Sequence, residues 1–186
     1  MKKLTFAIIA LLGMGFGASA QTQTITVNVP SVSMIAFQGG SQTGPAVATL
    51  ELTAPTAGNE GSAIGSVSKT GGNLVFSTIN EATNGFARQI DVKVSSTVPG
   101  IVLSVGAVLQ SGSVGDVGVA ASVSELSTTD QPLVTSINSG YTGTTTASGA
   151  ELTYTAAPST DSAKYEMLVA GTKPAITVTY TLKTSI

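Results

Sequence analysis

Apolar and polar residues alternate in short runs along most of this chain. In residues 24–29, Ile25, Val27 and Val29 occupy every second position, and Pro30 follows. Successive side chains of a β-strand point to opposite faces, so this alternation predicts a strand with one apolar face. Proline cannot donate to a strand ladder, so Pro30 is expected to end the strand.

The clearest alternation lies in residues 88–94. Its three apolar positions are predicted to face a core, and its polar positions, Asp91 among them, to face water. The segment Val98-Pro99-Gly100 is typical of a turn in which proline presets one corner and glycine accepts positive φ. Residues 101–108 alternate again, so the sequence predicts that these two runs form an antiparallel strand pair.

Further runs with the same character are predicted as strands: residues 32–37, 46–52, 73–78, 119–126, 132–137, 151–155, 165–169 and 176–182. Beyond the first 20 residues no apolar period of 3.6 persists for three turns, and the Gly, Thr and Val content disfavours helices. The pattern predicts an all-β domain. We expect one antiparallel β-sandwich of about nine strands, immunoglobulin-like or jelly-roll-like.

The start of the chain is typical of a secretory signal. Lys2 and Lys3 precede the apolar run 4–16, and Ala18-Ser19-Ala20 provides an A-x-A cleavage pattern. The run is shorter than the roughly 20 apolar residues that a membrane-spanning helix needs. We therefore predict a signal peptide over 1–20, a β-sandwich domain over 21–186, and a mature protein in the periplasm, at the cell surface or outside the cell.

Charge and residue usage exclude several classes of function. Only 10% of the residues are charged, and the net charge is −2 even with the two lysines of the predicted signal peptide. Such a surface lacks the basic residues that bind phosphate backbones or anionic lipids. We therefore expect neither nucleic acid nor membrane as a partner.

The chain contains no His and no Cys, the residues most often used for proton transfer and nucleophilic attack near neutral pH. A carboxylate pair of the glycosidase type is the remaining catalytic alternative. Its candidates are Glu51, Glu60, Glu81, Asp91, Glu125 and Glu151. Zinc sites are built mainly from Cys and His, and no spacing resembles an EF-hand. The sequence predicts no enzyme, no catalytic residue, no cofactor and no metal, and leaves calcium binding by loops open.

Aromatic residues offer one candidate contact. Tyr141 lies in a Gly/Thr-rich stretch that is predicted as a loop, where an exposed ring could stack on a sugar. The same tyrosine could equally anchor the loop. Glycan binding through residues 140–149 is therefore a minor hypothesis.

Several segments together resemble a known group of proteins: residues 25–30, 52–58, 98–101, 149–155 and 176–182. They are similar to secreted bacterial β-sandwich proteins such as spore coat protein U-like and WxL-like surface domains, and more loosely to fimbrial subunits. The resemblance implies a sandwich fold and a role at the cell surface. The chain has no Trp, unlike WxL domains, and Lys183-Thr184-Ser185-Ile186 lacks the near-terminal aromatic residue of chaperone–usher pilins.

Two functions follow as hypotheses. The first is a structural or adhesive surface protein, a subunit of a filament, coat or matrix, in which Ile25, Val27 and Val29 add as a strand to a neighbouring molecule. Its partner would be a second copy or another surface protein. The same strand could instead pair within its own sandwich. The second hypothesis is a monomeric extracellular module that binds a glycan or a protein through loops that include Tyr141.

Overall fold

The computed structural model of the protein describes residues 25–38, 44, 49–81, 86–145 and 147–185. The predicted signal peptide, Thr24 and residues 46–48 of the predicted strand 46–52 lie outside the described residues. The described part contains eleven strands and one short helix. They are β1 (Val32–Phe37), β2 (Val67–Ile79), β3 (Arg88–Val94), β4 (Ile101–Leu109), β5 (Val114–Gly115), β6 (Val119–Ala120), β7 (Ser122–Val123), β8 (Gln131–Ile137), β9 (Gly140–Tyr141), β10 (Ala150–Pro158), α1 (Ser162–Tyr165) and β11 (Val178–Thr184).

The strands form two antiparallel sheets that pack together as a sandwich. Sheet I has the order β5-β9-β2-β10-β4-β7, and β1 pairs with β2 along residues 74–79. β10 and β9 pair with the opposite edge of the long strand β2, at residues 67–74 and 77–78 respectively. Sheet II has the order β11-β3-β8-β6. The all-β prediction is confirmed.

Alternating side chains of both sheets form the core. Leu74 on β2 and Leu152 on β10 are buried from sheet I, and Ile90 and Val92 on β3 are buried from sheet II. Burying an aliphatic side chain of this size contributes roughly 1.5–3 kcal/mol before the cost of ordering the chain. The period-2 pattern of the sequence therefore identifies the core face of these strands.

The predicted pairing of residues 88–94 with 101–108 is wrong, although both segments are strands. β3 pairs with β11 and β8, whereas β4 pairs with β10 and β7 in the other sheet. The turn itself forms as predicted, since the Ile101 amide donates to the Val98 carbonyl (3.1 Å) and Gly100 has φ +77°. The six-residue connection is long enough to cross the roughly 10 Å between packed sheets.

Four other predicted strands differ from the structure. Residues 25–30 and 49–52 have no strand conformation, and neither have residues 165–169, of which Tyr165 is the last residue of helix α1. The run 119–126 is broken into β6 and β7, which belong to different sheets. Short apolar runs carry no information about available partners, and a strand forms only where another strand meets it.

One margin of the sandwich is closed by the chain that switches sheets. Between β6 and β7, the Ala121 amide donates to the Leu133 carbonyl in sheet II (2.9 Å), and the Ala121 carbonyl accepts from the Ala107 amide in sheet I (3.0 Å). The opposite margin is formed by β1 and β11, which belong to different sheets. This second margin carries the features described next.

Candidate functional site

The predicted strand-addition segment lies outside both sheets. Ile25, Val27 and Val29 are 76%, 77% and 64% exposed, and residues 25–30 take part in no strand pairing with the rest of the described chain. In an extended conformation these three side chains share one face. The segment therefore presents an apolar edge to its surroundings without burying it in its own sandwich.

Among the described strands, β11 is the last one of sheet II and pairs with β3 along one edge only. Its inward-facing residues Val178, Tyr180 and Leu182 pack against the core but are only partly buried. By contrast, their cross-strand neighbours Ile90 and Val92 on β3 are completely buried. The core is thus less well covered along β11 than one strand further in.

The hydroxyls of Tyr154 on β10 and Tyr180 on β11 are hydrogen-bonded to each other across the sandwich. The ring of Phe37 on β1 meets the Tyr180 ring edge-on, with centroids 6.0 Å apart. Removal from water raises the pKa of both tyrosines above the ordinary value of 10.0, more strongly for Tyr180. Because both hydroxyls remain protonated, the pair connects the two sheets as a neutral link.

The prediction that the polar positions of β3 face water is wrong for Asp91. It lies on the outer face of sheet II but is only 2% exposed, since neighbouring side chains cover it. Lys183 on β11 forms an ion pair with its Oδ2, and the Gln89 amide donates to its Oδ1 (2.7 Å). This bond to Asp91 raises the pKa of Lys183. The ion pair therefore fastens β11 to β3.

Tyr141 is exposed, which was one of the two alternatives for its ring, but it belongs to strand β9 and not to the predicted loop. It pairs with Ser77 on β2 and Val114 on β5, and Ser77 pairs in turn with Met34 on β1. Cross-strand partners point to the same face. Met34, Ser77, Tyr141 and Val114 therefore form one line across the outer face of sheet I, which we call the apolar row.

Four of the six candidate carboxylates make structural contacts, Asp91 as described above and three others. Glu125 accepts from Lys164 Nζ (2.8 Å), Glu151 from the Gln110 amide (3.0 Å), and Glu60 from the Gly58 backbone amide (3.0 Å). The hydrogen bond from Gly58 lowers the pKa of Glu60, and the bond to Glu125 raises the pKa of Lys164. Within the described ranges, no three His, Cys, Asp or Glu side chains are grouped so that they could hold a metal ion.

A cavity of about 260 Å³ opens at the end of the sandwich where β11 begins. Val94, Met167 and Ile176 contribute to its largely apolar wall, and the ion pair of Lys164 with Glu125 lies at its side. Gly100 also lines it, and a Cβ there would lie 2.6 Å from Leu168. The segment after α1 is therefore packed closely against the Val98–Gly100 turn.

The sequence singled out Ile25, Val27, Val29 and Tyr141 as candidates, and all four side chains are exposed. It gave no indication that β11 is a sheet edge or that Met34 belongs to an exposed row. Both features depend on strand order, for which the alternating pattern gives no signal.

No helix in the described part of the chain is both long and apolar enough to cross a bilayer. Comparison with protein-family models, curated proteins and solved structures found no match to this chain.

Proposed function

We propose that this chain is a secreted structural or adhesive surface protein, a subunit of a filament, coat or matrix, whose copies join by strand addition. Ile25, Val27 and Val29 of one copy would extend sheet II of the next copy along the edge of β11 that no described strand occupies. The observation that carries the proposal is the exposed alternating segment at residues 25–30, which has no strand partner among the described residues.

The two surfaces complement each other chemically. The edge of β11 offers backbone N–H and C=O groups, and its half-buried Val178, Tyr180 and Leu182 leave apolar surface to be covered. An added strand would pair with these backbone groups and cover this apolar surface. Its main-chain hydrogen bonds would give affinity, and its alternate side chains would give specificity. Burying three aliphatic side chains is worth roughly 1.5–3 kcal/mol each, against the loss of freedom on association.

Export belongs to the same proposal. The signal-like residues 1–20 support removal at Ala20 and a final location in the periplasm, on the cell surface or outside the cell.

We further propose an immunoglobulin-like or jelly-roll-like connection of the strands. The role is non-enzymatic and needs no cofactor, and the protein recognises other protein molecules through backbone pairing.

The direct test uses the mature chain beginning at Gln21. Light scattering and electron microscopy are expected to show polymers that disappear when Ile25, Val27 and Val29 are all replaced by Asp. The matched control replaces Thr26 and Asn28, the intervening positions of the same segment, by Asp, and should still polymerise. A wild-type protein that stays monomeric at all concentrations, or a triple variant that polymerises equally well, would refute the proposal.

A second candidate function rests on the exposed ring of Tyr141. In this alternative the protein is a monomeric extracellular module that binds a glycan or another protein through Tyr141 and the adjoining residues 142–149. A glycan array with the wild type and Tyr141→Ala tests it. Binding that the substitution abolishes supports the alternative, and no signal on the array argues against glycan recognition.

A further inference from the structure

The apolar row is an unusual surface for an outer sheet face, which in sandwiches is normally polar. Met34, Tyr141 and Val114 are all exposed, and Ser77 lies between Met34 and Tyr141 in the register. The row contains no charged side chain. Its flank is apolar as well, since Val32 and Ile79 pair beside it on the same face.

This row is connected to the N-terminal segment by a very short link. Only Pro30 and Ser31 separate Val29 from Val32, the first residue of β1. Three residue steps span at most about 11 Å in a fully extended chain. Pro30 has a fixed φ and also restricts Val29 to extended conformations, so the link is stiff as well as short. A docked segment would therefore hold the body of its own subunit against the neighbour.

The neighbour exposes an apolar side chain at each end of β11. At the Val178 end, Met167 is exposed and lines the 260 Å³ cavity together with Ile176. At the Thr184 end, Phe86 is exposed. The direction of the added strand chooses between the two ends. If it pairs antiparallel, as β3 does with β11, Val29 would lie at the Val178 end and bring the apolar row to Met167.

We propose that the apolar row of one copy packs against the Met167 surface of the next copy. This inference rests on the proposed strand addition and gives it a second contact between the folded bodies of the subunits. The contact joins two different patches, so it is head-to-tail and can repeat along a filament. Neighbouring subunits would then be joined by two contacts, the added strand and the contact between the folded bodies, one on either side of the short, stiff link. Such a filament resists bending, whereas a filament of subunits joined by flexible linkers does not.

The absence of cysteine from the chain makes a clean test possible. Mature protein with Tyr141→Cys is mixed with mature protein carrying Met167→Cys, allowed to polymerise, and treated with a short bismaleimide. We expect a cross-linked pair that joins positions 141 and 167, identified by mass spectrometry. The control uses Val108→Cys, which replaces an exposed valine of β4 outside the row, and should lose this product.

The outcomes separate the two proposals. Polymers that form without the 141–167 product overturn the body contact and leave strand addition standing. Absence of polymers, with the N-terminal segment intact, overturns strand addition and the contact that rests on it. As a second measurement, Met34→Ser with Tyr141→Ser should give filaments that bend more and dissociate at lower denaturant, while Val108→Ser should not. Unchanged stiffness and dissociation in the double variant would contradict the proposal.

Discussion

The hydroxyl of Tyr154 on sheet I is hydrogen-bonded to the hydroxyl of Tyr180 on sheet II. Both side chains are largely withdrawn from water, and Phe37 packs edge-on against Tyr180. The contact lies at the β1/β11 margin, where the core is less completely covered. It therefore supports β11 at the margin that we propose as the acceptor for a neighbouring strand.

Removal of the Tyr180 hydroxyl should destabilise the fold, because the Tyr154 hydroxyl then loses its partner in a mostly buried position. We expect Tyr180→Phe to lower the free energy of unfolding by about 1–2 kcal/mol in denaturant titrations. The double variant Tyr154→Phe with Tyr180→Phe should lose less than the sum of the single changes. Strictly additive losses would contradict a direct bond between the hydroxyls.

The same pair predicts sensitivity to alkali. The pKa of each tyrosine is raised in the folded state, so the unfolded chain releases these protons first as the pH increases. Stability is therefore retained below the unfolded pKa of about 10 and lost above it. Thermal unfolding between pH 8 and pH 11 should show this decline, and Tyr180→Phe should flatten it. An equally steep decline in the variant would argue against Tyr180 as its source.

Asp91 should contribute strongly to the attachment of β11, since it is buried and bonded to Lys183 and Gln89. Asp91→Ala is expected to cost about 2 kcal/mol of unfolding free energy. Lys183→Met should cost at least as much, because it leaves the buried Asp91 carboxylate without its counter-charge and with only the Gln89 amide as partner. Equal effects of Asp91→Ala and a surface change such as Lys173→Met would contradict this assignment.

Asp116 predicts a loss of stability in acid. The Asn138 amide donates to its Oδ2 (2.7 Å) and the Gly118 backbone amide to its Oδ1 (3.1 Å), and these bonds lower its pKa. Because the pKa of Asp116 is lower in the folded state than in the unfolded state, the ionised carboxylate stabilises the fold above the unfolded pKa. This stabilisation is lost as the pH falls through the folded pKa. Asp116→Asn should therefore be destabilising at pH 7 and nearly neutral at pH 2, as measured by chemical denaturation. A pH-independent effect would contradict the prediction.

Gly71 should tolerate no side chain where β2 bulges against β10. A Cβ at this position would lie 2.1 Å from the Tyr154 ring, and the strand register shifts between Leu152 and Thr153. Gly71→Ala is expected to cost about 1–3 kcal/mol by displacing that ring. Gly65→Ala is the matched control, since its Cβ would meet Thr53 at an ordinary 3.5 Å. Similar melting temperatures for the two variants would refute the steric explanation.

Deletion of residues 21–29 should leave the folded monomer almost unchanged, because the exposed side chains at 25, 27 and 29 bury little surface. We expect the unfolding free energy to change by less than about 0.5 kcal/mol. A synthetic peptide of residues 21–31 should then raise the melting temperature in proportion to its binding, as mass action requires. A scrambled peptide is the control, and equal effects of the two peptides would contradict strand addition.

By itself, the sequence determined the strands whose alternation is regular. Residues 32–37 and 88–94 were predicted with the bounds of β1 and β3, and the core positions of β3 and β10 followed from the same period. Alternation predicts these strands correctly because it depends only on neighbouring residues: every second side chain of the strand points into the core. The alternation of Ile25, Val27 and Val29 was also visible at this level, but their exposure was not.

Only the tertiary structure decided which strands pair and which edges remain open. β3 and β4 are joined by a turn that formed as predicted, yet they lie in different sheets, since the turn specifies a corner and not a partner. Asp91 is buried on the outer face because two side chains contact it. Gln89 lies two residues away in the same strand, and Lys183 lies far away in the sequence, on β11. The apolar row likewise exists only through the register of four strands. Such contacts depend on side chains that are far apart in the chain, so no local pattern encodes them.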